Sequence, residues 1–577
     1  MKKNIILTIS IMVSGREKTT RKCLDSLQDL RELIPCELLL IDTGCKKEMR
    51  EWLEDYADSV IDFTWCDDFA AARNRGVAEA QGEWFMFVDD DEWFEDTSNI
   101  ISFFQSGEYK QYQTAFYKAR NYADWDGQKY RDSYVSRMVK MQKDTRFIFP
   151  IHEVLMPALH PVKYLDDFVH HYGYVYESAE EEKAKTERNM PLLLKAHQES
   201  PHCLRHHMEL AIEYNSVKAY RKSIEISYKG IQNYDNSWIS NLKDINMLFA
   251  NIVRCCNSIG EYEKACKEAA RFIQQDEISA LAVATICGDV TYSCYKTGNY
   301  ERGLLYLEKY LQLKEAFEKD KQTYLEQQTM ILESCFEKDY YQFYMATGAA
   351  LAAAQGNWNK WQGIFRSEPL RWWEEAINFW CSKVSYIDID STRNGLESMV
   401  SAGDLYQQHL LICMDTWTLI KMTSQKKEEE GNSFSAYLRV LGSYSQRVIL
   451  YYKNLYHISI FEEYPELLPK EYSLARKFQM VLQKVKQKDY VNALRELKKA
   501  AEMQTEFGEV IKRFSGMLSQ NSQDQSEFTY LAKQVKGKVW KMIREGDNES
   551  ARATLEKLQT LVPDDPEIEL LQNRIRG

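Results

Sequence analysis

Four consecutive acidic residues, Asp89, Asp90, Asp91 and Glu92, follow directly on the apolar run EWFMFV at 83–88. Carboxylates bunched at the end of a buried strand suit a divalent cation, which in turn screens a diphosphate. The same run also suits the start of a helix, where acidic side chains cap free N–H groups and favour the positive end of the dipole. Spacing alone does not choose between the two. Position favours the cation, because a fully buried strand would deliver these carboxylates into a crevice. Two more polar turns end apolar runs in the same way: Ser14–Glu17 after residues 4–13, and Asp42–Cys45 after ELLLID at 37–42.

These turns need a scaffold, and the spacing predicts one. Residues 4–13, 37–42, 60–63 and 83–88 read as strands. Between them, residues 17–30 carry Cys23, Leu24, Leu27 and Leu30 at helical spacing, residues 46–57 read as helix, and residues 68–80 form an alanine-bearing helix. Strands alternating with helices predict a mainly parallel α/β sheet, whose ligands sit at the carboxyl ends of the strands. All three polar turns fall there.

Beyond about residue 175 the strand-like runs nearly vanish. A short phrase recurs instead: a Gly or Lys turn, an aromatic, then a small residue one turn on. It appears as IGEYEKACKEAARF (259–272), TGNYERGLLYLEKYL (297–311), QGNWNKWQGIF (355–365), QKDYVNALRELKKAA (487–501) and, with the aromatic replaced, EGDNESARATLEKLQTLVPDDP (545–566). An aromatic packing across a helix–turn–helix, with Ala265, Gly303, Ala493 or Ala551 letting two helices approach, is the logic of a TPR-like α-solenoid. RWWEEAINFWC (371–381) has its aromatics at helical spacing and reads as core rather than as a peptide-binding stripe. The polar segment 422–433 reads as a loop.

Composition bounds the function. At 577 residues the chain exceeds what one core fills, so at least two domains are expected. A formal net charge of -12 argues against nucleic acid as a partner. The 13 cysteines form no CxxC pair, which reads as reduced thiols rather than a disulfide framework or a zinc site. The first residues, MKKNIILTISIMVSG, imitate a signal peptide but lack a cleavage site, and no run approaches the ~20 apolar residues that span a bilayer. No integral membrane segment and a cytoplasmic location are expected.

The order ISIMVSGRE (9–17), ELLLIDTGC (37–45) and WCDDFAAARNRGVAEAQGEWFMFVDDDEWF (65–94), followed by FIFPIHEVL (147–155) and VHHYGYVYESAEEEKAKTERNMPLLL (169–194), resembles the family-two, inverting glycosyltransferases of GT-A type. It is similar to the branch fused to TPR-like repeats, which includes enzymes that glycosylate peptides and proteins. The resemblance implies an α/β GT-A (Rossmann-like) domain over 1–175, a helical junction over 176–200 and an all-α TPR-like helical-repeat domain over 201–577. That last domain would bind acceptor or support a homo-oligomer. It further implies that Ser14, Arg16, Asp42, Asp68, Arg73 and Asp90 contact the nucleotide sugar. Asp89, Asp91 and His171 would hold Mn²⁺ or Mg²⁺, and Glu153 would be the catalytic base.

Some positions depart from the family pattern. The usual Asn-Glu after the first strand is Gly15-Arg16, the second acid of the next turn is Thr43, and its serine is Cys45. Arg16 would grip phosphate or simply pair with Glu17 or Asp42. His152 reads equally as structural or as a metal or phosphate contact, His170 as structural, Trp93 as packing behind the acidic turn, Arg120 and Arg137 as surface ion pairs ahead of sugar or phosphate contacts, and Arg188-Asn189 as a junction fixture. The function expected is a metal-dependent inverting transfer from a UDP-sugar to a protein or peptide side chain. A glycan or lipid-linked acceptor and a non-catalytic TPR scaffold are the alternatives. Asp89→Ala and Asp91→Ala should abolish turnover with the fold intact, and Glu153→Gln should spare donor binding but not transfer.

Overall fold

The structure is a computed structural model that describes residues 5–576 except 158, 174, 176–178, 234–241, 277, 322–331, 402–403, 425–433, 457–468, 502–506 and 562–565. The chain forms two compact units, Met1–Thr297 with Glu308–Phe336, and Gly298–Leu307 with Glu337–Gly577.

The first unit opens with β1 (Leu7–Val13), β2 (Cys36–Asp42), β3 (Ser59–Asp62), β4 (Trp84–Asp89), β5 (Glu92–Phe94), β6 (Thr114–Tyr122) and β7 (Tyr130–Lys140). The short strands β8 (Arg146–Ile148) and β9 (Val154–Met156) follow, then β10 (Val162–His171). One eight-stranded sheet has the order β3-β2-β1-β4-β7-β6-β10-β5, and β8 and β9 pair separately. β1 runs parallel to β2 and β4, while β7 is antiparallel to β4 and β6.

The central strands are buried on both sides and mostly apolar because both faces are covered; among the buried exceptions, the Thr8 hydroxyl donates to Glu37 at 2.6 Å. Leu7, Ile9, Ile11 and Val13 join Leu38, Leu40, Trp84, Met86 and Val88 in one core. The helices Glu17–Ser26 and Ser98–Gln105 close it with Cys23, Leu24, Ile100, Phe103 and Phe104. On the opposite face lies the helix Phe69–Glu79, capped by Asp68, whose carboxylate accepts from the Ala71 N–H at 2.8 Å. Its Gly76 lies so close to β1 that an added Cβ would overlap Ser10 Oγ. The A-R-N-x-G glycine is thus a packing requirement.

From Ala179–Glu199 onward the described secondary structure is helical. In the first unit, Leu242–Ser258 and Tyr262–Phe272 form one hairpin, whose turn residue Gly260 has φ 76°. In the second unit, Lys338–Ala354 and Trp358–Phe365 turn through Gly356 at φ 70°, and Lys470–Lys486 and Tyr490–Ala501 turn through Lys488 at φ 59°. Each is a left-handed helix stop, which glycine adopts freely and lysine adopts at some strain. The same stop at Lys218, φ 58°, joins Leu204–Ser216 to Tyr220–Asn233. That is a further copy of the phrase, less visible in sequence because Ser223, fully buried, stands where other copies carry Ala or Gly. Ala265, Ala493 and Ala551 are fully buried, as are Trp373 and Trp380 of the RWWEEAINFWC helix. Of the loop expected at 422–433, residues 422–424 continue the helix Leu405–Ser424 and 425–433 lie outside the described residues. Among the described residues, no helix is long and apolar enough to cross a membrane.

Candidate active site

The sheet order fixes which turns meet. β1 lies between β2 and β4, with Val13 level with Asp42 and Met12 level with Asp89. The turns after all three strands therefore open on one edge. Ser14 N–H and Oγ donate to Asp90 Oδ2 at 3.3 and 3.4 Å. Arg16 reaches across to Asp91 Oδ2 at 2.6 Å and also holds Asp90 Oδ1. It pairs with neither Glu17 nor Asp42: Glu17 takes Arg21 at 2.8 Å, and Asp42 takes Arg50 at 3.0 Å.

Asp42 Oδ1 accepts from the N–H groups of Gly44 and Cys45 at 2.9 and 2.7 Å. Burial opposes its charge, but these two donors and Arg50 outweigh it and hold the carboxyl below its ordinary range. An ionised acceptor thus stands at the base of the crevice.

Asp89 has a different environment. Oδ1 accepts from Arg73 and Oδ2 from Arg137 at 2.8 Å. Arg73 also binds Glu153, and Arg137 also binds Glu92 at 2.9 Å. The result is a chain of alternating charge, Glu153–Arg73–Asp89–Arg137–Glu92, with both guanidiniums buried over the Phe87 ring at 4.7 and 4.4 Å. Burial would raise Asp89, yet Arg137 and Arg73 hold it well below the usual carboxylate range. Glu92 goes the other way. Burial, reinforced by Asp89 and Asp91, pushes it up to about 7 despite Arg137. Arg137 was expected in a surface pair; the β4–β7 pairing instead turns it inward. Arg120 does lie in a more exposed pair, with Asp132 at 2.8 Å.

His171 arrives from the far side of the sheet. β10 pairs with β5 so that His171 lies level with Glu92, one residue from Asp91, and β6 puts Asn121 level with His171 on the other side. Asn121 Nδ2 donates to the Ala119 carbonyl at 3.3 Å, which turns its Oδ1 toward His171 Nδ1 at 2.8 Å. With Asn121 in this orientation Nδ1 is the donor, and Nε2, on the side of Gly173, is the acceptor nitrogen. Trp93 stacks on His170 and Tyr172 at 5.4 and 5.7 Å, a platform behind the acidic turn. His170 is engaged structurally by Tyr122 and Glu95, both at 2.7 Å.

The donor set can be tested against a divalent cation. Asp89 has both oxygens committed to buried arginines. Asp91 is a quarter exposed and meets only Arg16, itself half exposed, among the described residues. Asp91 is therefore the partly exposed carboxylate of this turn least committed to buried arginine, and the Nε2 edge of His171 lies against Gly173. Asp42, Asp89, Asp90, Asp91, Glu92 and Glu153 face Arg16, Arg50, Arg73 and Arg137, six carboxylates against four guanidiniums. Even with Glu92 protonated, five carboxylates face four guanidiniums, a balance that favours a divalent ion over a bare diphosphate.

Other expected residues lie nearby with different partners. Asp68 is spent on its helix cap. His152 has φ 52° and its Nε2 lies 3.7 Å from Glu209 of the helix Leu204–Ser216. Arg188 donates to Asn189 at 3.1 Å, and its guanidinium stands 6.0 Å from the Phe69 ring.

Residues 8–157 match the model of glycosyl transferase family 2. Over 238 residues the chain is 26% identical to the SPbeta prophage-derived glycosyltransferase SunS of Bacillus subtilis (strain 168), an alignment covering 40% of this chain and 54% of that relative. Over 184 residues it is 25% identical to a TPR repeat-containing protein of Synechococcus elongatus, covering 29% of this chain and 42% of that one. The chain thus spans about half the length of the curated relatives it matches. A solved structure of residues 1–349 of S. aureus TarS in complex with UDP-GlcNAc aligns with 51% of this chain and 92% of its own, at 14% identity and a TM-score of 0.26. That likeness is too loose for ligand positions to be carried over.

Proposed function

We propose that this chain is a metal-dependent, inverting glycosyltransferase, a reading supported by the match of residues 8–157 to the glycosyl transferase family 2 model. It moves a sugar from a UDP-sugar to a protein or peptide side chain. The observation that carries this reading is the acidic edge where β1, β2 and β4 end, with its surplus of carboxylates over guanidiniums.

In this reading each residue has a physical task. Asp42, kept ionised, accepts from the nucleobase. Ser14 and Asp90 brace the first turn, and Arg16, the half-exposed cation of the edge, swings from Asp90 and Asp91 toward phosphate. Asp91 and His171 would hold Mn²⁺ or Mg²⁺, which would supply positive charge against the departing diphosphate. Asp89 fixes Arg73 and Arg137, and so the position of Glu153. Glu153 takes the proton of the attacking hydroxyl or thiol on the face opposite the leaving group, which inversion requires. The helical repeats would supply the surface that a polypeptide acceptor needs.

The test is to incubate the chain with a panel of UDP-sugars, Mn²⁺ and candidate polypeptides, and to read intact mass. A single-sugar increment on a polypeptide, absent with Glu153→Gln although UDP-sugar still binds, supports the reading. Sugar found only on a glycan or lipid acceptor overturns the acceptor class. Equal loss of binding and transfer in Glu153→Gln overturns its role as base.

A further inference from the structure

Within the second unit, the helices Leu370–Lys383 and Leu405–Ser424 run side by side in parallel. Three polar contacts set the register: Glu374 Oε1 with His409 Nε2, Asn378 Oδ1 with Trp417 Nε1 at 2.7 Å, and the Ser382 carbonyl with Lys421 Nζ at 2.8 Å. His409 and Cys413 stand one turn apart on the second helix and so share a face. Cys413 completes a cluster in which one donor atom each from Glu374, His409 and Cys413 lies within 4.8 Å of the other two. An ion pair accounts for Glu374 and His409. It does not account for a thiol turned to the same point, since a cysteine between helices ordinarily packs as a small apolar residue.

We propose that Glu374, His409 and Cys413 form a divalent transition-metal site, of the Zn²⁺ class, that clips these two helices together. One oxygen, one imidazole nitrogen and one sulfur are the mixed donors of borderline-soft zinc, and three protein ligands leave a fourth position for water. The side chains of Glu374 and His409 are 37% and 26% exposed, so an ion enters from solvent without opening the core. The Tyr451 ring, 5.5 Å from the His409 ring, shields one side. On binding, the thiol proton leaves to solvent and a metal–sulfur bond replaces it. The ligands come from two helices and lack CxxC spacing, which is why the sequence reads as having no zinc site. The site is independent of the proposed transfer chemistry.

The test uses the full chain after chelator treatment, titrated with Zn²⁺ and, as a spectroscopic probe, Co²⁺. The wild type should bind one Zn²⁺ equivalent more than Cys413→Ser, show a thiolate-to-cobalt charge-transfer band missing from that variant, and gain thermal stability with Zn²⁺ where the variant does not. Asp91→Asn should keep this equivalent, which separates it from any ion at the acidic edge. If Cys413→Ser fails to fold by circular dichroism, His409→Gln, which leaves the thiol in place, reads the same loss of stoichiometry. Equal Zn²⁺ stoichiometry and equal thermal response in wild type and the folded variants overturn the proposal.

Discussion

Asp89→Asn and Asp91→Asn should differ sharply in stability, although both belong to one acidic turn and both should lose turnover. Asp89 is the shared partner of Arg73 and Arg137, whose side chains are 6% and 13% exposed. Removing one partner of a buried ion pair costs about 3–5 kcal/mol, because the remaining charge is left uncompensated. Here each arginine keeps one other acid, Glu153 or Glu92, so the lower end, about 3 kcal/mol, is expected. Asp91 meets only Arg16, which is 53% exposed and retains Asp90. Screening by water holds that loss to about 0–1 kcal/mol. The gap of about 2 kcal/mol is roughly thirtyfold in the unfolding equilibrium. Urea unfolding of the two variants, followed by far-UV circular dichroism on the transition of the N-terminal unit, measures it. Shifts that agree within about 0.5 kcal/mol would refute the idea that the arginine chain hangs on Asp89.

Three further outcomes are expected. Glu92, pushed up to about 7 when folded against 4.5 otherwise, holds a proton that the unfolded chain releases between those values. Its contribution to stability is therefore present below about pH 4.5 and is lost as pH rises through 7; Glu92→Gln should flatten that slope by up to about 3 kcal/mol between pH 4.5 and 8, read by urea unfolding. Gly76→Ala should destabilise by about 1–3 kcal/mol through the clash with Ser10, and Ser10→Gly in the same chain should recover part of the loss in thermal melts. Asn121→Ala, by freeing the tautomer of His171, should weaken Mn²⁺ affinity about 10–100-fold in a titration while donor binding without metal is unchanged.

Much of the fold was legible because local rules and tertiary packing agree. The runs at 37–42 and 83–88 became β2 and β4 within a residue, since strands buried on both faces are mostly apolar. The glycine–aromatic phrase located helical hairpins because a left-handed stop favours glycine. A further copy, turning at Lys218, was hidden because Ser223 takes the place of the usual Ala or Gly. The acidic turn was visible as charge at a strand end, but its partners were not. Arg137 comes from β7 and Asn121 from β6, strands whose pairing with β4 and β10 is set by sheet order, and no sequence spacing encodes that. For the same reason the four acids looked alike, whereas burial and arginines separate Asp89, Glu92 and Asp91 into anchor, high-pKa acid and open carboxylate.

The central claim is that Asp91 and its neighbours work through a divalent ion. Turnover of a UDP-sugar by chelator-treated protein, with and without added Mn²⁺, tests it most directly. Activity should disappear with the chelator, return with Mn²⁺ in the wild type, and stay absent in Asp91→Ala at every Mn²⁺ concentration. Undiminished turnover in the chelator, or an Asp91→Ala protein that matches wild type, would contradict it.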